Sequence, residues 1–210
     1  MFADRVDAGR QLAGRLAKYK NAEATIVCGI PRGGLVVAAE VATGLGLPLG
    51  LAAVRKVGAP GNPELAIGAV DDDTLRLLDE RIAGDLGISS ADLVKAAESA
   101  RSKLRAWLAG MPPGPRPAQG GRVILVDDGV ATGYTAEVAV GAMRRQGASR
   151  VVLAVPVAPE DTARRLQAQV DDWICLEVPE PFYAVGNFFA VWPQLTDDQV
   201  RALLLSGNRM

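Results

Sequence analysis

The chain is predicted to be an α/β protein built on a doubly wound, mainly parallel sheet. Three observations carry that prediction. Apolar, β-rich runs recur along the chain as "ATIVCGI", "LGLAAVRK", "RVILVDD", "RVVLAVPV" and "DDWICLEV". These runs are apolar throughout rather than alternating, which suits strands covered on both faces. Segments long enough for crossover helices separate them, and right-handed strand–helix–strand units then wind the sheet.

Taken in order, "MFADRVDAGRQLAGRLAKYK" reads as an amphipathic helix, with acids and arginines where a signal peptide would carry its apolar stretch. The first strand is "ATIVCGI", followed by the crossover helix "GGLVVAAEVATGLG", which Gly46 stops, and by the second strand "LGLAAVRK". The rhythm then breaks. "VGAPGNPELAIGAVDDDTLRLLDERI" is rich in Gly, Pro and acids, "SSADLVKAAESARSKLRAWLAG" is a helix with Ser90 as its N-cap, and "MPPGPRPAQGG" is a stiff connector. A lid or hood inserted at about residues 56–119 of a single 210-residue domain is the reading of this stretch. Beyond it, "RVILVDD", the helix "YTAEVAVGAMRRQGA" with its stop at Gly147, "RVVLAVPV", "PEDTARRLQAQV" and "DDWICLEV" resume the alternation.

Composition removes several function classes. The 23 Lys and Arg against 24 Asp and Glu leave a formal charge of −1 with no basic run, so there is no electrostatic footprint for nucleic acid or an anionic membrane. No apolar segment approaches the ~18 residues of a membrane span, and a cytoplasmic location is expected. Cys28 and Cys175 sit far apart inside strand-like runs and read as buried free thiols. There is no histidine, which excludes His-dependent triads, histidine metal sites and imidazole acid–base chemistry.

The stretch that carries chemistry is "RVILVDDGVATGYTAEVAV". In an open α/β sheet, ligands bind at the carboxyl ends of the strands, and Asp127 and Asp128 fall at such an end. The turn that follows opens a helix whose amides and dipole suit a phosphate, with Thr132 and Thr135 adding hydroxyl donors. Acceptors come first and donors next. A ribose 5-phosphate has the matching polarity, vicinal hydroxyls at one end and a dianion at the other. A second loop, Pro31, Arg32, Gly33 and Gly34 in "IVCGIPRGGLVVA", joins strand to helix with open amides and one guanidinium able to grip a phosphate.

"VILVDDGVATGYTA" resembles the 5-phosphoribosyl-1-pyrophosphate signature of the type I phosphoribosyltransferases: four apolar residues, two acids, a short spacer, then Thr-Gly-x-Thr. The resemblance implies that Asp127 and Asp128 hold the ribose hydroxyls and that Ala131, Thr132, Gly133, Tyr134 and Thr135 wrap the 5-phosphate. The 31–34 loop is similar to the family's pyrophosphate loop, which gives Arg32, Gly33 and Gly34 to the diphosphate. Arg55 and Lys56, at the end of the second strand, are placed to reach it as well, and Glu64 is a weaker candidate brought in by lid closure. In the tail "VPEPFYAVGNFFAVWPQ", Phe182 or Tyr183, just before Val185 and Gly186, matches the aromatic that stacks on a purine in hypoxanthine–guanine phosphoribosyltransferases. The opening "FADRVDAGRQLAGRL" is similar to that of family members with unassigned acceptors.

The resemblance implies transfer of ribose 5-phosphate from 5-phosphoribosyl-1-pyrophosphate to a nitrogenous acceptor, a nucleobase, with Mg²⁺ as cofactor and pyrophosphate released. Asp127, Asp128, Arg32 and Lys56 would carry catalysis. The metal would be held through the substrate, with Asp127 or Asp128 reaching it by way of water rather than through a protein cage. Two departures stand against a 6-oxopurine acceptor: Ala131 replaces an aspartate thought to assist the base, and Ala190 replaces an acidic purine contact. A non-catalytic regulator or sensor binding a phosphoribosyl ligand is the rival reading. Dinucleotide and P-loop readings fail because "GLGLPLG" has the wrong spacing and GxxxxGK[ST] is missing. A homodimer is compatible with the sequence, which does not specify the oligomeric state.

Overall fold

The computed structural model describes residues 1–73 and 76–207. Its main sheet is five-stranded and parallel, formed by β1 (Thr25–Gly29), β2 (Leu49–Leu51), β6 (Arg122–Val126), β7 (Arg150–Val157) and β8 (Asp172–Glu177) in the order β2-β1-β6-β7-β8. The order reverses between β1 and β6, so the crevice expected of a doubly wound sheet opens at the ends of these two strands. Their register pairs Thr25 with Arg122 and Gly29 with Val126, which brings the loops leaving both strands side by side.

Two apolar layers cover the sheet. On one face Val27, Ile124, Val126, Val152 and Ala154 pack with helices α1 (Arg5–Arg15), α2 (Gly34–Leu45) and α7 (Asp197–Ser206). On the other face Ile26, Cys28, Val123, Leu125 and Leu153 pack with α5 (Tyr134–Arg145) and α6 (Glu160–Gln167). Both faces of each central strand are thus buried, which is why the strands read as continuous apolar runs. Cys28 is buried and Cys175 half-buried, both as free thiols.

The second predicted strand divides in two. "LGLAAVRK" supplies β2, and then, after a tight turn in which the Val54 amide donates to the Ala52 carbonyl (2.9 Å), it supplies β3 (Val54–Ala59) of a separate sheet. Apolar continuity does not record a change of direction, so one run covered two strands. The Gly- and Pro-rich segment beyond it is also ordered: β4 (Asn62–Asp71) pairs antiparallel with β3, and β5 (Arg76–Leu78) pairs with β4. This sheet carries its own core, in which Val57, Ile67 and Val70 meet Ala83 of α3 (Glu80–Asp85) and Leu93, Ala97 and Ala100 of α4 (Ser90–Leu108). Arg145 of α5 pairs with the buried Asp71, tying the end of β4 to the main domain.

The N-cap of α4 is Ser89 rather than Ser90. The Ser89 side chain accepts from the Asp92 amide at 3.2 Å while its own backbone stays extended. Two adjacent serines gave the sequence no means of choosing between them. Ser89→Ala is expected to lower stability by about 1 kcal/mol, whereas Ser90→Ala should stay within about 0.5 kcal/mol of the parent. Thermal unfolding of the two variants separates these outcomes.

Candidate active site

At the end of β6 the chain places Asp127 and Asp128 side by side, with the Asp128 amide donating to Asp127 Oδ1 at 2.8 Å. The loop after β1 lies directly against them. A Cβ on Gly33 would overlap Asp128 Oδ2, and one on Gly34 would stand 2.8 Å from Asp127 Cα. Only a residue without a side chain permits that approach. Gly33 and Gly34, read in the sequence as a tight anion loop, therefore also bring the two loops into contact.

The remainder of the 127–135 loop is held from behind. Val130 donates its amide to the Val157 carbonyl (2.9 Å), Thr162 Oγ1 donates to the Ala131 carbonyl (2.8 Å), and Arg165 donates to the Thr132 carbonyl and pairs with Glu137. The Ala131 and Thr132 carbonyls are thus taken up by α6. Gly133, at φ +83, turns the chain into α5, and no described side chain caps that helix. The first-turn amides and the helix dipole are thus left for water or an anion. Thr132 is exposed and Thr135 half-buried, so both hydroxyls are accessible from this side.

Tyr134 behaves differently from its neighbours. Its hydroxyl donates to Asp79, which also caps α3 by accepting from the Ile82 amide at 2.8 Å. Burial, with Asp79 as acceptor, pushes the phenol up to about 12. The Ile82 amide first, and then the Tyr134 hydroxyl, hold the Asp79 carboxyl below its ordinary range. The Tyr134 side chain thus links the loop to the small sheet and leaves only its backbone for a ligand.

Electrostatically the acid pair is the most loaded point of the fold. Burial and then the charge of Asp128 hold Asp127 well above the usual carboxylate range. Burial raises Asp128 too, and Arg5 opposes it. Arg5, at the head of α1, donates from Nε to Asp128 Oδ2 at 2.7 Å and from Nη1 to the Pro193 carbonyl at 2.8 Å. Its guanidinium carbon lies 3.5 Å from the centroid of the Trp192 ring. Neither Arg5 nor Trp192 was among the residues singled out in the sequence. A signal existed: Arg5 lies on one helical stripe with Ala8, Gly9 and Leu12, all four buried, so a charge headed an apolar face.

The basic candidates lie on the far side of the same glycine loop. Arg32 pairs with Asp197 (3.1 Å) and donates to the Leu195 carbonyl (3.4 Å), and both partners of the ion pair are about half exposed. Asp197 also accepts from Trp107 Nε1 at 2.8 Å. Arg55 and Lys56 sit within β3 of the small sheet rather than at the end of a parallel strand, because the predicted second strand divides before them. Lys56 pairs with Glu64 across the hairpin at 3.5 Å, and Glu64 is almost wholly exposed. Arg32, Arg55 and Lys56 join Lys95 and Lys103 of α4 around a cleft of about 780 Å³ that Pro31 also lines.

In the tail, Val185 packs over Gly129, where an added Cβ would overlap Val185 Cγ1. The tail is therefore brought to the site. Tyr183 itself is 80% exposed, while Phe182 stacks on Phe188 with ring centroids 5.4 Å apart. The structure thus gathers Gly33, Gly34, Asp127, Asp128 and the loop through Thr135 at one point. It places Arg32 and Lys56 in the adjoining cleft, and Tyr183, two residues before Val185, is exposed.

Three comparisons bear on this arrangement. The family model of the phosphoribosyl transferase domain matches residues 3–188. Two curated proteins of Mycobacterium tuberculosis, from strains CDC 1551 and H37Rv and provisionally named phosphoribosyl transferases, are each 41% identical over the whole chain. The chain spans about half the length of these relatives, 47% in each case. Among solved structures, protein TT1426 of Thermus thermophilus superposes with a TM-score of 0.75 at 42% identity, over 98% of each chain.

The pH response of the acid pair follows from its burial. A carboxyl whose folded pKa is raised binds a proton that the unfolded chain has already lost. Stability is therefore lost as pH rises through the folded value and regained as pH falls toward the unfolded one. Asp127→Asn removes that buried charge and keeps an oxygen for the Asp128 amide. It is expected to melt above the parent at about pH 7.5, with the gap closing toward about pH 4. A gap that stays constant across this range in calorimetric melts would contradict the assignment.

Proposed function

The chain belongs to the phosphoribosyl transferase domain family, and from that premise we propose that it transfers ribose 5-phosphate from 5-phosphoribosyl-1-pyrophosphate to a nitrogenous acceptor, releasing pyrophosphate. The observation that supports this reading best is the contact of two strand-end loops at the sheet's switch point, one presenting paired carboxylates and an uncapped helix N-terminus, the other an open glycine turn. Asp127 and Asp128 accept from the ribose hydroxyls. The backbone from Ala131 to Thr135, with the Thr132 and Thr135 hydroxyls, takes the 5-phosphate. Amides of Gly33 and Gly34 and the Arg32 guanidinium receive the diphosphate. Arg32 is available because its pair with Asp197 is exposed, and such pairs are worth only about 0–1 kcal/mol.

With the sugar held at one end and the diphosphate at the other, the bond at C1 is oriented for departure, and the acceptor nitrogen arrives from the opposite face. Catalysis is then positioning together with stabilisation of charge on the leaving diphosphate by Arg32 and Lys56, not covalent work by a nucleophile. The small sheet with α3 and α4, which begins at Val54 rather than at residue 56, serves as the lid that keeps water from the sugar cation. Its ties through Asp71 to Arg145 and through Asp79 to Tyr134 anchor one end on α5, so closure is a movement of the β3–β4 hairpin carrying Lys56 and Glu64.

The donor set suits a hydrated divalent ion. Among the described residues no group of three or more acidic, cysteine or histidine side chains converges, so Mg²⁺ would be held by ligand oxygens and water, with Asp127 or Asp128 orienting that water. When bound, it supplies charge neutralisation for the diphosphate. No described helix is long and apolar enough to cross a membrane.

One observation favours the rival, a sensor that binds a phosphoribosyl ligand without turnover: Arg5 already engages Asp128, and Asp197 already engages Arg32. Incubation with phosphoribosyl pyrophosphate, Mg²⁺ and a pool of nucleobases separates the two. Acceptor-dependent release of pyrophosphate is expected, and binding without release would favour the sensor. In the same assay Asp128→Asn should keep the folded circular dichroism spectrum and weaken sugar-diphosphate binding at least about tenfold, the equivalent of one charge-assisted hydrogen bond. Unchanged affinity by calorimetry counts against the role of Asp128.

A further inference from the structure

We propose that Arg5 is a positioning residue of the sugar site, fixing the Asp128 carboxylate so that it meets ribose hydroxyls in one orientation. The inference rests on the proposed function and extends it to a part of the chain 123 residues away in sequence. Three contacts immobilise the guanidinium: Asp128 Oδ2 at 2.7 Å, the Pro193 carbonyl at 2.8 Å and the Trp192 ring face at 3.5 Å. Arg5 is only 8% exposed.

The support around it is itself tied down. Phe2 donates to the Phe188 carbonyl (2.8 Å), Ala190 donates to Phe2 (2.9 Å) and Val191 donates to Ala3 (3.0 Å), so the first residues of the chain run beside the tail. The rings of Phe2, Phe189 and Trp192 pack in sequence, with centroids 5.3 Å and 4.6 Å apart. The first residues and residues 188–193 thus form a clasp behind the acid pair, with Arg5 as the strut between the clasp and Asp128.

A purely structural contact here would not call for a charge. The stripe of α1 to which Arg5 belongs continues as Ala8 and Leu12, and an apolar side chain at its head would avoid the desolvation that a buried ion pair incurs. The guanidinium also uses what a lysine lacks, two donors directed at separate acceptors from a rigid plane. Gly33 lies against the same oxygen, since an added Cβ there would overlap Asp128 Oδ2 and stand 2.8 Å from Arg5 Nε. Bonded to Arg5 through that oxygen and packed there against Gly33, the carboxylate is held in one orientation.

The test is calorimetric titration of parent, Arg5→Lys and Arg5→Gln with three probes in Mg²⁺ buffer: 5-phosphoribosyl-1-pyrophosphate, ribose 5-phosphate and inorganic pyrophosphate. Both variants are expected to lose at least about tenfold in affinity for the two ribose ligands while pyrophosphate affinity stays within about twofold. Equal loss for all three probes, or no loss for any, overturns the proposal, the first pointing to general loosening and the second to an idle ion pair. If Arg5→Gln does not fold, Arg5→Lys combined with Asp128→Asn decides: losses for ribose 5-phosphate that fail to add support the proposal, and additive losses overturn it. A parent protein that binds no ribose ligand overturns the proposed function itself, an outcome distinct from a parent that binds and an Arg5→Lys that binds equally well.

Discussion

The site depends on one close approach. Gly33, in the loop that leaves β1, lies so near Asp128, just past the end of β6, that any side chain on it would overlap the carboxylate. That approach follows from the parallel register of β1 on β6, which ends both strands at the same level, and from a strand order that reverses between them. Everything that carries chemistry is positioned by it: the acids on one loop, the open amides of the other, and the uncapped start of α5 a few residues further on.

The same crowding explains the electrostatics. Two carboxylates with little exposure and one guanidinium share a small volume, so burial holds both acids above the usual carboxylate range and Arg5 opposes the rise at Asp128. Asp128 has Arg5, whereas Asp127 is met by the Asp128 amide and by no cation at contact distance among the described residues. Hydroxyl donors directed at Asp127 favour its charged form. The basic groups, by contrast, are kept on the other side of the glycine loop, where Arg32 and Lys56 face the cleft under the hairpin. Acceptors at Asp127 and Asp128 are thus kept apart from the basic groups that line the cleft.

Much of this was legible in the sequence, and the reasons are specific. The parallel strands could be read because burial on both faces makes them apolar throughout, and the acid pair stood out because charge follows such a run abruptly at Asp127. The break between β2 and β3 was hidden because Ala52 and Ala53 suit either side of a turn equally well. Arg55 and Lys56 belong to β3 rather than to the end of a parallel strand, and they line a cleft together with Arg32. Arg5 was missed for a different reason. Its contacts are with Asp128, Pro193 and Trp192, all of which are remote in sequence and reach it only in the folded chain. Tyr183 is exposed, and Val185, two residues on, packs over Gly129 at the site.

A crystal structure of the protein with ribose 5-phosphate and Mg²⁺ would test the central claim most directly. The account predicts the phosphate at the start of α5, within hydrogen-bond reach of the 132–135 amides, and the sugar hydroxyls on Asp127 and Asp128. A phosphate lodged instead among Lys56, Lys95 and Lys103, with the sugar out of reach of both acids, would contradict it.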